Sequence, residues 1–241
     1  MLMEDPKGFV IGIVLIGIMA ILMYFTKALT LDGIVASIVM GLAILILSNL
    51  IGFLTLLLFL ILGTLATFVG KSRKKSLEHL DAKDLFGRSA YNVMSNGIVA
   101  VIISSLYLLE VERRLVDIAY LASISAVLAD TLGSEIGVLS DKVYLVTNFK
   151  RVPPGTNGGI SVLGTIATFL GSFAIGLMAL LYGFHSICVL LITFSGFAGA
   201  FIDSLLGATL EAKGLLDKGG VNILCSASAA GIAVMLFIIL F

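Results

Sequence analysis

Charged residues, tryptophan, cysteine and histidine are all scarce in this sequence. Its 241 residues include no tryptophan, two cysteines and two histidines, and only 12% are charged. Soluble globular domains carry about 25% charged residues, so this composition excludes that class. The net charge of zero excludes a broad basic surface for nucleic acid. Cys188 and Cys225 lie in apolar runs without metal-site spacing, and we interpret them as buried apolar residues.

Long apolar runs dominate what is present. Hydrophobic residues make up 59% of the chain, and the mean hydropathy is +1.16. A helix needs about 20 apolar residues to cross the hydrocarbon core of a bilayer. The sequence therefore predicts an all-α polytopic membrane bundle, a single transmembrane domain over 1–241. About eight spans are expected, near 8–26, 32–48, 50–69, 92–109, 115–137, 160–183, 185–210 and 222–241.

The first span starts after Glu4 and Asp5, with no basic region and no clear cleavage site, so it is interpreted as retained and not as a signal peptide. Within the domain, 8–69 forms the first three helices, 70–91 a basic cytoplasmic loop and 92–241 the catalytic helices. The tightest turns are expected at Ser48-Asn49 and at 183–185.

The distribution of Lys and Arg predicts the orientation. With the 71–75 loop in the cytoplasm, eight spans place 12 of the 15 basic residues inside and 3 outside. Both termini are then extracytoplasmic, and the polar clusters all face the cytoplasm. A transporter needs accessible chemistry at both faces, whereas an enzyme using a cytosolic nucleotide needs it at one, so this asymmetry favours an enzyme.

Two segments resemble each other and suggest parallel internal repeats. Asp130-Thr-Leu and Asp203-Ser-Leu each end a span, and each is followed by a loop and a Gly-Gly pair, at Gly158 and Gly219. The two hairpins would run in the same direction around an axis along the membrane normal. Chance similarity among Gly- and Leu-rich spans remains an alternative.

Carboxylates at the edge of a membrane span are the most specific signal. Ionisable residues are costly there and usually functional. Asp130 and Glu135 lie about 140° apart on one helix, so a second helix carrying Asp203 is the natural complement. Hard carboxylate oxygens suit Mg²⁺, which commonly uses one or two of them together with substrate phosphates. We expect Asp130, Glu135 and Asp203 to form a catalytic metal site. Pairing with nearby Lys and Arg is the alternative.

A glycine-rich loop, Arg151–Gly159, precedes a predicted helix. Glycine allows close approach of a phosphate, and the N–H groups at a helix N-terminus can bind it. The Gly-Lys-Ser/Thr ending of a P-loop is absent. Asn157, Gly158 and Gly159 are the candidate phosphate ligands, with an ordinary turn as the alternative.

Amides and basic residues supply further candidates. Asn92 and Asn96 are four residues apart and share one helix face, where they would bind a ligand or a neighbouring helix. Arg88 can make a bidentate phosphate contact. The Lys71–Lys75 run is typical of a topology or lipid signal, and a nucleotide-phosphate role is reasonable for Lys71. Lys218 precedes the second Gly-Gly pair.

Four blocks then occur in order, at 87–97, 129–137, 154–161 and 203–210. Together they resemble the integral-membrane phytyl-phosphate kinase family, the group that includes transmembrane protein nineteen, and more distantly the CTP-dependent polyprenol kinases. The resemblance covers the chain from Thr67 onward. Relatives often have Trp in the second block, where this chain has Leu132.

This resemblance implies Mg²⁺-dependent transfer of a phosphoryl group from CTP or another nucleoside triphosphate (NTP) to a prenyl monophosphate. Phytyl or geranylgeranyl phosphate would give the diphosphate. The implied partners are the NTP, the lipid and the bilayer, without nucleic acid, and a homo-oligomer stays open. Phosphoryl transfer needs positioning and charge neutralisation more than a general base. An ion-coupled transporter, a lipid cytidylyltransferase and a noncatalytic scaffold remain the alternatives.

Overall fold

A computed structural model describes residues 5–75 and 87–241; the notable sequence positions His79 and Lys83 lie outside these ranges. Eight long helices account for most of the described chain. They are α1 Pro6–Thr26, α2 Leu31–Leu47, α3 Leu50–Phe68, α5 Ala90–Ser105, α6 Arg113–Gly137, α7 Val162–Met178, α8 Ser186–Leu206 and α9 Lys218–Leu240, with a short α4 at Lys71–Lys75. A 3₁₀ turn, Leu106–Leu108, extends α5, and a π-helical turn, Gly207–Glu211, extends α8.

These helices confirm the predicted all-α membrane bundle. Among the described residues, six helices are long and apolar enough to cross a membrane, and α2 and α7 are apolar helices of 17 residues. The largest boundary differences are in α7, which ends at Met178 instead of near 183, and in α9, which begins at Lys218 instead of 222.

Side-chain caps fix where several helices begin. Thr30, Asn49, Ser161 and Asp217 each accept a hydrogen bond from the N–H of a glycine three residues later. Such a cap satisfies one of the N–H groups that a helix start leaves unpaired. Asn49 explains the tight turn between α2 and α3, because its Oδ1 lies 2.9 Å from the Gly52 nitrogen.

Helix α6 is the centre of the bundle. It packs against α7, α8, α9, α3 and α5, and most of its residues between Val116 and Ala129 are buried. Its Tyr120, Leu121, Ile124 and Leu128 side chains are fully buried. Tyr120 donates a hydrogen bond of 2.6 Å to the Gly52 carbonyl, which satisfies a hydroxyl group that is otherwise enclosed by the core. The position of α6 therefore decides where its carboxylates lie.

A small antiparallel sheet between α6 and α7 was not predicted. It contains β1 Val143–Leu145, β2 Arg151–Val152 and β3 Gly159–Ile160 in the order β2-β1-β3. Strands of two or three residues give too short an alternation to be recognised in the sequence. The sheet occupies the stretch interpreted as a loop, so α7 begins only at Val162.

The helices place the first and last described residues, Asp5 and Phe241, at one end of the bundle and the aspartates Asp130 and Asp203 at the other. Asp5 and Arg113 border one cavity, and Phe241 packs on Phe237 near Phe184. Asp130 lies towards the end of α6 and Asp203 towards the end of α8. We call their end of the bundle the Asp end. Because the two residues meet there, α6 and α8 run in the same direction, in agreement with the expected direction of the repeats.

Candidate active site

The Asp130 and Asp203 carboxyl groups are in hydrogen-bonding contact with each other, so two separate helices bring these acids together. Close helix packing allows this contact. A Cβ on Gly199, one turn before Asp203, would lie 2.8 Å from the Cβ atoms of both Ala126 and Ala229. Glycine at this position thus lets α8 approach α6 and α9 more closely than any other residue would.

An asparagine pair lies beside the two acids. Asn96 of α5 and Asn222 of α9 make a side-chain hydrogen bond of 2.7 Å. With its amide nitrogen and oxygen exchanged, Asn222 would also donate to Asp203 Oδ2 over 3.3 Å. The amide orientation is set by the hydrogen-bond network in any such pair. Asn96 and Asn222 therefore connect α5 and α9 to the acid pair.

Lys218 places a positive charge beside this cluster. It is the first residue of α9, one turn before Asn222, and is exposed. It interacts electrostatically with Asp130, Asp203 and Glu211. Its side chain thus adds a positive charge at the solvent side of the acid pair.

Glu135 is not in this cluster, which corrects the expected three-carboxylate metal site. Its Oε2 accepts a hydrogen bond of 2.7 Å from Lys74 Nζ, and its Oε1 one of 2.7 Å from Thr67 Oγ1. The physical reason is the angle between positions 130 and 135 on one helix, which turns Glu135 towards α3 and α4. Among the described residues, no group of three His, Cys, Asp or Glu side chains could hold a metal ion.

Arg88 joins the Glu135 ion pair to the acid pair. Its guanidinium lies 3.5 Å from Glu135 Oε1 and donates to Thr67 Oγ1 over 3.2 Å. It also interacts electrostatically with Asp130. The main chain of Arg88 is fixed by the turn between α1 and α2, because its N–H donates to Ala28 O and its carbonyl accepts from Thr30 N. A fixed backbone leaves only the guanidinium to adjust to a ligand.

The glycine loop packs against the end of α8, close to Asp203. Gly158 has φ +72°, and a Cβ there would lie 2.4 Å from the Ala208 Cβ. Asn157 and Gly158 also lie against Gly207. The N–H of Gly159 donates to Thr156 O over 2.9 Å. Gly158 and Gly159 therefore precede the helix and do not form its N-terminus, which corrects the predicted mode of phosphate binding.

Replacing Gly158 tests this packing. Gly158→Ala should lower the free energy of unfolding by more than the approximately 1–2 kcal/mol that a left-handed backbone costs an L-residue, because the added methyl group also meets Ala208. Gly214→Ala is the matched control, since Gly214 has φ +69° with no atom within 4 Å of its added Cβ. Unfolding in detergent measures both. Equal losses for the two variants would contradict the close contact.

Two predicted phosphate ligands lie apart from the contacts described above. Lys71 is exposed, and its Nζ lies 5.0 Å from the centre of the Phe68 ring. Asn92 is half-buried, one turn before Asn96 in α5. A cytoplasmic topology signal explains Lys71 equally well.

Tyr91 and Asp217 are residues at the Asp end that the sequence did not point to. The Tyr91 hydroxyl donates to Asp217 Oδ2, and Gly220 N–H donates to Oδ1 over 2.8 Å. These hydrogen bonds lower the pKa of Asp217, the N-cap of α9. An Asp two residues before a Gly-Gly pair was the available signal, because Asp is a preferred N-cap.

The opposite end of the bundle holds a polar cavity that was also missed, because all polar clusters were expected at the cytoplasmic face. Its volume is about 290 Å³, and Arg113, Asp117, Asn49, Ser48 and Tyr182 are among its lining residues. Within the described chain, Ser48 Oγ and the Tyr182 hydroxyl are buried without a hydrogen-bond partner. Unpaired buried polar atoms usually have a water or ligand partner.

The comparisons with known proteins agree with this membrane bundle. A family model, integral membrane protein DUF92, matches residues 14–238. The chain belongs to this DUF92 family. A Methanocaldococcus jannaschii membrane protein is 36% identical over 237 residues, which cover 98% of this chain and 97% of that protein.

Two Arabidopsis thaliana proteins also match this chain. Protein PGR is 28% identical over 243 residues, covering 88% of this chain and 83% of its own length. Protein VTE6, chloroplastic, is 28% identical over 172 residues, covering 67% of this chain and 50% of its own length. No solved structure matches the chain.

Proposed function

We propose that this DUF92 protein is a membrane-embedded kinase that transfers a phosphoryl group from CTP or another NTP to a prenyl monophosphate. The contact between Asp130 and Asp203, with Lys218 beside it, is the observation that carries the proposal. Two acids held together at the end of a helix bundle are costly unless a cation or a proton joins them. The four sequence blocks that resemble prenyl-phosphate kinases contain both acids.

The donor atoms of this pair fit Mg²⁺. Mg²⁺ is usually bound by one or two carboxylates, with waters and substrate phosphates completing its shell. Asp130 and Asp203 would hold it, and the bound ion would neutralise charge on the phosphates. Glu135, which is already paired with Lys74, is left out of this assignment.

The remaining residues would position two phosphorylated molecules. Lys218 and the Asn157–Gly159 loop would contact nucleotide phosphates, and Arg88, Asn92 and Asn96 the acceptor phosphate. An oxygen of the acceptor phosphate attacks the γ-phosphorus, and the bond to the β-phosphate oxygen breaks. The products are a prenyl diphosphate and the nucleoside diphosphate. An acceptor phosphate is largely ionised near neutral pH, so no general base is needed.

This chemistry requires the Asp end to face the cytoplasm, with both termini on the other side. The Lys and Arg distribution supports that orientation. Cysteine accessibility labelling of Ser72→Cys and Lys7→Cys variants in sealed vesicles tests it, because the two sites should label from opposite sides.

Incubation of purified protein with labelled CTP, MgCl₂ and a panel of prenyl monophosphates tests the activity. The expected result is prenyl diphosphate and CDP in equal amounts. Release of pyrophosphate would instead indicate a cytidylyltransferase. If Asp130→Asn and Asp203→Asn variants keep all measurable activity, the protein is a noncatalytic scaffold.

The polar cavity at the opposite end of the bundle favours a second candidate function, that of an ion-coupled transporter. Asp117 in that cavity and Asp130 at the Asp end lie on the same helix, about 20 Å apart at 1.5 Å per residue. Intramembrane acids at both ends are typical of transporters. Substrate flux into proteoliposomes without nucleotide would support this candidate over the kinase.

A further inference from the structure

We infer that the lipid chain of the acceptor binds inside the bundle, in a cavity between α1, α2, α3 and α5. This inference rests on the proposed function, because it places the acceptor of the same active site. The cavity has a volume of about 70 Å³, and three of its lining residues are polar. These three are Ser37, Arg88 and Asn96.

The cavity is long and narrow. Its lining extends from Arg88, whose guanidinium donates to the Gly63 carbonyl of α3, down to Phe53 on the same helix. Ten residues of α3 separate these two levels, which is about 15 Å at 1.5 Å per residue. A small volume spread over that depth suits a single hydrocarbon chain and excludes a nucleotide base and sugar. Met19 and Met40 border it, and flexible methionine side chains can adapt to an irregular apolar ligand.

The polar end of the cavity leads to the active site. Asn96 lines the cavity and also bonds Asn222, which neighbours Asp203. Arg88 lines it and interacts electrostatically with Asp130. A chain in the cavity therefore leaves its phosphate between Arg88 and Asn96, next to the acid pair. Ligand sites are commonly apolar pockets with a few converging polar groups, as here.

Helix α1 is the side of the cavity past which a lipid chain can enter. In α1, a helix of 21 residues, the buried residues are Gly8, Gly12 and Met23. Such a loosely packed helix can move outward to admit a lipid chain more easily than the buried α6 can. The cavity is bordered on that side by Ile16, Met19 and Ala20 of α1.

Gly41 lies at the deep end of the cavity, so replacing it with a larger residue tests whether the lipid chain binds there. A Cβ added there would meet Phe53 at 3.4 Å and Ile16 at 3.5 Å, so a larger side chain would occupy the cavity. Gly17 of α1 is the matched control, because a Cβ there has no atom within 4 Å. Ser37→Leu, nearer the polar end, is a second filling variant.

The experiment is photolabelling of the purified protein with a diazirine-bearing geranylgeranyl monophosphate, with label sites mapped by mass spectrometry. Label should fall on cavity residues of α1, α2 or α3 and should be displaced by unlabelled geranylgeranyl phosphate. Gly41→Leu should reduce labelling about tenfold, which is about 1.4 kcal/mol of binding free energy, because the leucine side chain takes the space of the lipid chain. Gly17→Leu should retain it.

The outcomes separate this inference from the proposed function. Specific label in the cavity without any phosphoryl transfer would support the chain site and overturn the kinase. If the protein transfers phosphate but the displaceable label lies only on α6–α9, the lipid-chain site is wrong and the kinase stands. The same conclusion follows if folded Gly41→Leu and Ser37→Leu variants are labelled as strongly as the unchanged protein.

Discussion

Asp203→Asn should reduce phosphoryl transfer about 10²–10³-fold, the loss typical when one preorganised group that stabilises transition-state charge is removed. The side chain keeps its shape and its hydrogen-bonding capacity but loses the charge that would hold Mg²⁺ against two phosphates. Asp130→Asn should behave in the same way, because the two carboxyl groups are in contact. The measurement is CDP and prenyl diphosphate formation under saturating Mg²⁺.

The same variants should unfold at an unchanged or higher temperature in metal-free detergent. Without a metal ion, two carboxyl groups in hydrogen-bonding contact must share a proton, and an amide can replace the protonated partner at little cost, as is common for substitutions at active sites. Asp141→Asn is the control, since the Asp141 side chain is 82% exposed and pairs with Arg73 on the surface. Full activity in both Asp130→Asn and Asp203→Asn would refute the kinase assignment.

Glu135→Gln should lower the free energy of unfolding by about 3 kcal/mol, because removing one partner of a largely buried ion pair leaves the other charge uncompensated. Lys74 is 5% exposed and lies 2.7 Å from Glu135, so water cannot replace the lost partner. Unfolding in SDS titrations measures the change. The double variant Lys74→Met/Glu135→Gln should recover most of the loss, since apolar replacement of a buried pair is often close to neutral.

The exposed Asp141 provides the comparison for this prediction too. Surface ion pairs contribute about 0–1 kcal/mol, so Asp141→Asn should hardly change the free energy of unfolding. If Glu135 were a metal ligand instead, Glu135→Gln would remove activity at unchanged stability, and the added Lys74→Met change would restore nothing. That outcome would show that Glu135 is a metal ligand, as the sequence predicted.

The sequence predicted the structural features that depend on neighbouring residues and missed those that depend on residues far apart in the chain. The eight apolar runs became eight helices because span length and hydropathy are properties of consecutive residues. The turn at Ser48–Asn49 was predictable for the same reason, since its cap reaches only three residues along the chain. The short strands at 143–160 were missed because their pairing partners lie in other parts of the loop.

The candidate site shows the same division. That Asp130 and Asp203 complement each other could be anticipated, because each ends a similar apolar helix and a lone carboxylate there is unfavourable. The partner of Glu135 could not, because Lys74 is 61 residues away and reaches it only through the packing of α3 on α6. The apolar cavity beside Asn96 was equally invisible in the sequence, since four helices contribute to it.

The sequence alone therefore determined that this protein is a membrane helix bundle with acidic residues at one end of two helices. The tertiary structure decided which acids meet, which one is neutralised by lysine, and which helices enclose the apolar cavity. Helix formation and membrane insertion depend on local composition, whereas these groupings depend on how the helices rotate and pack against one another.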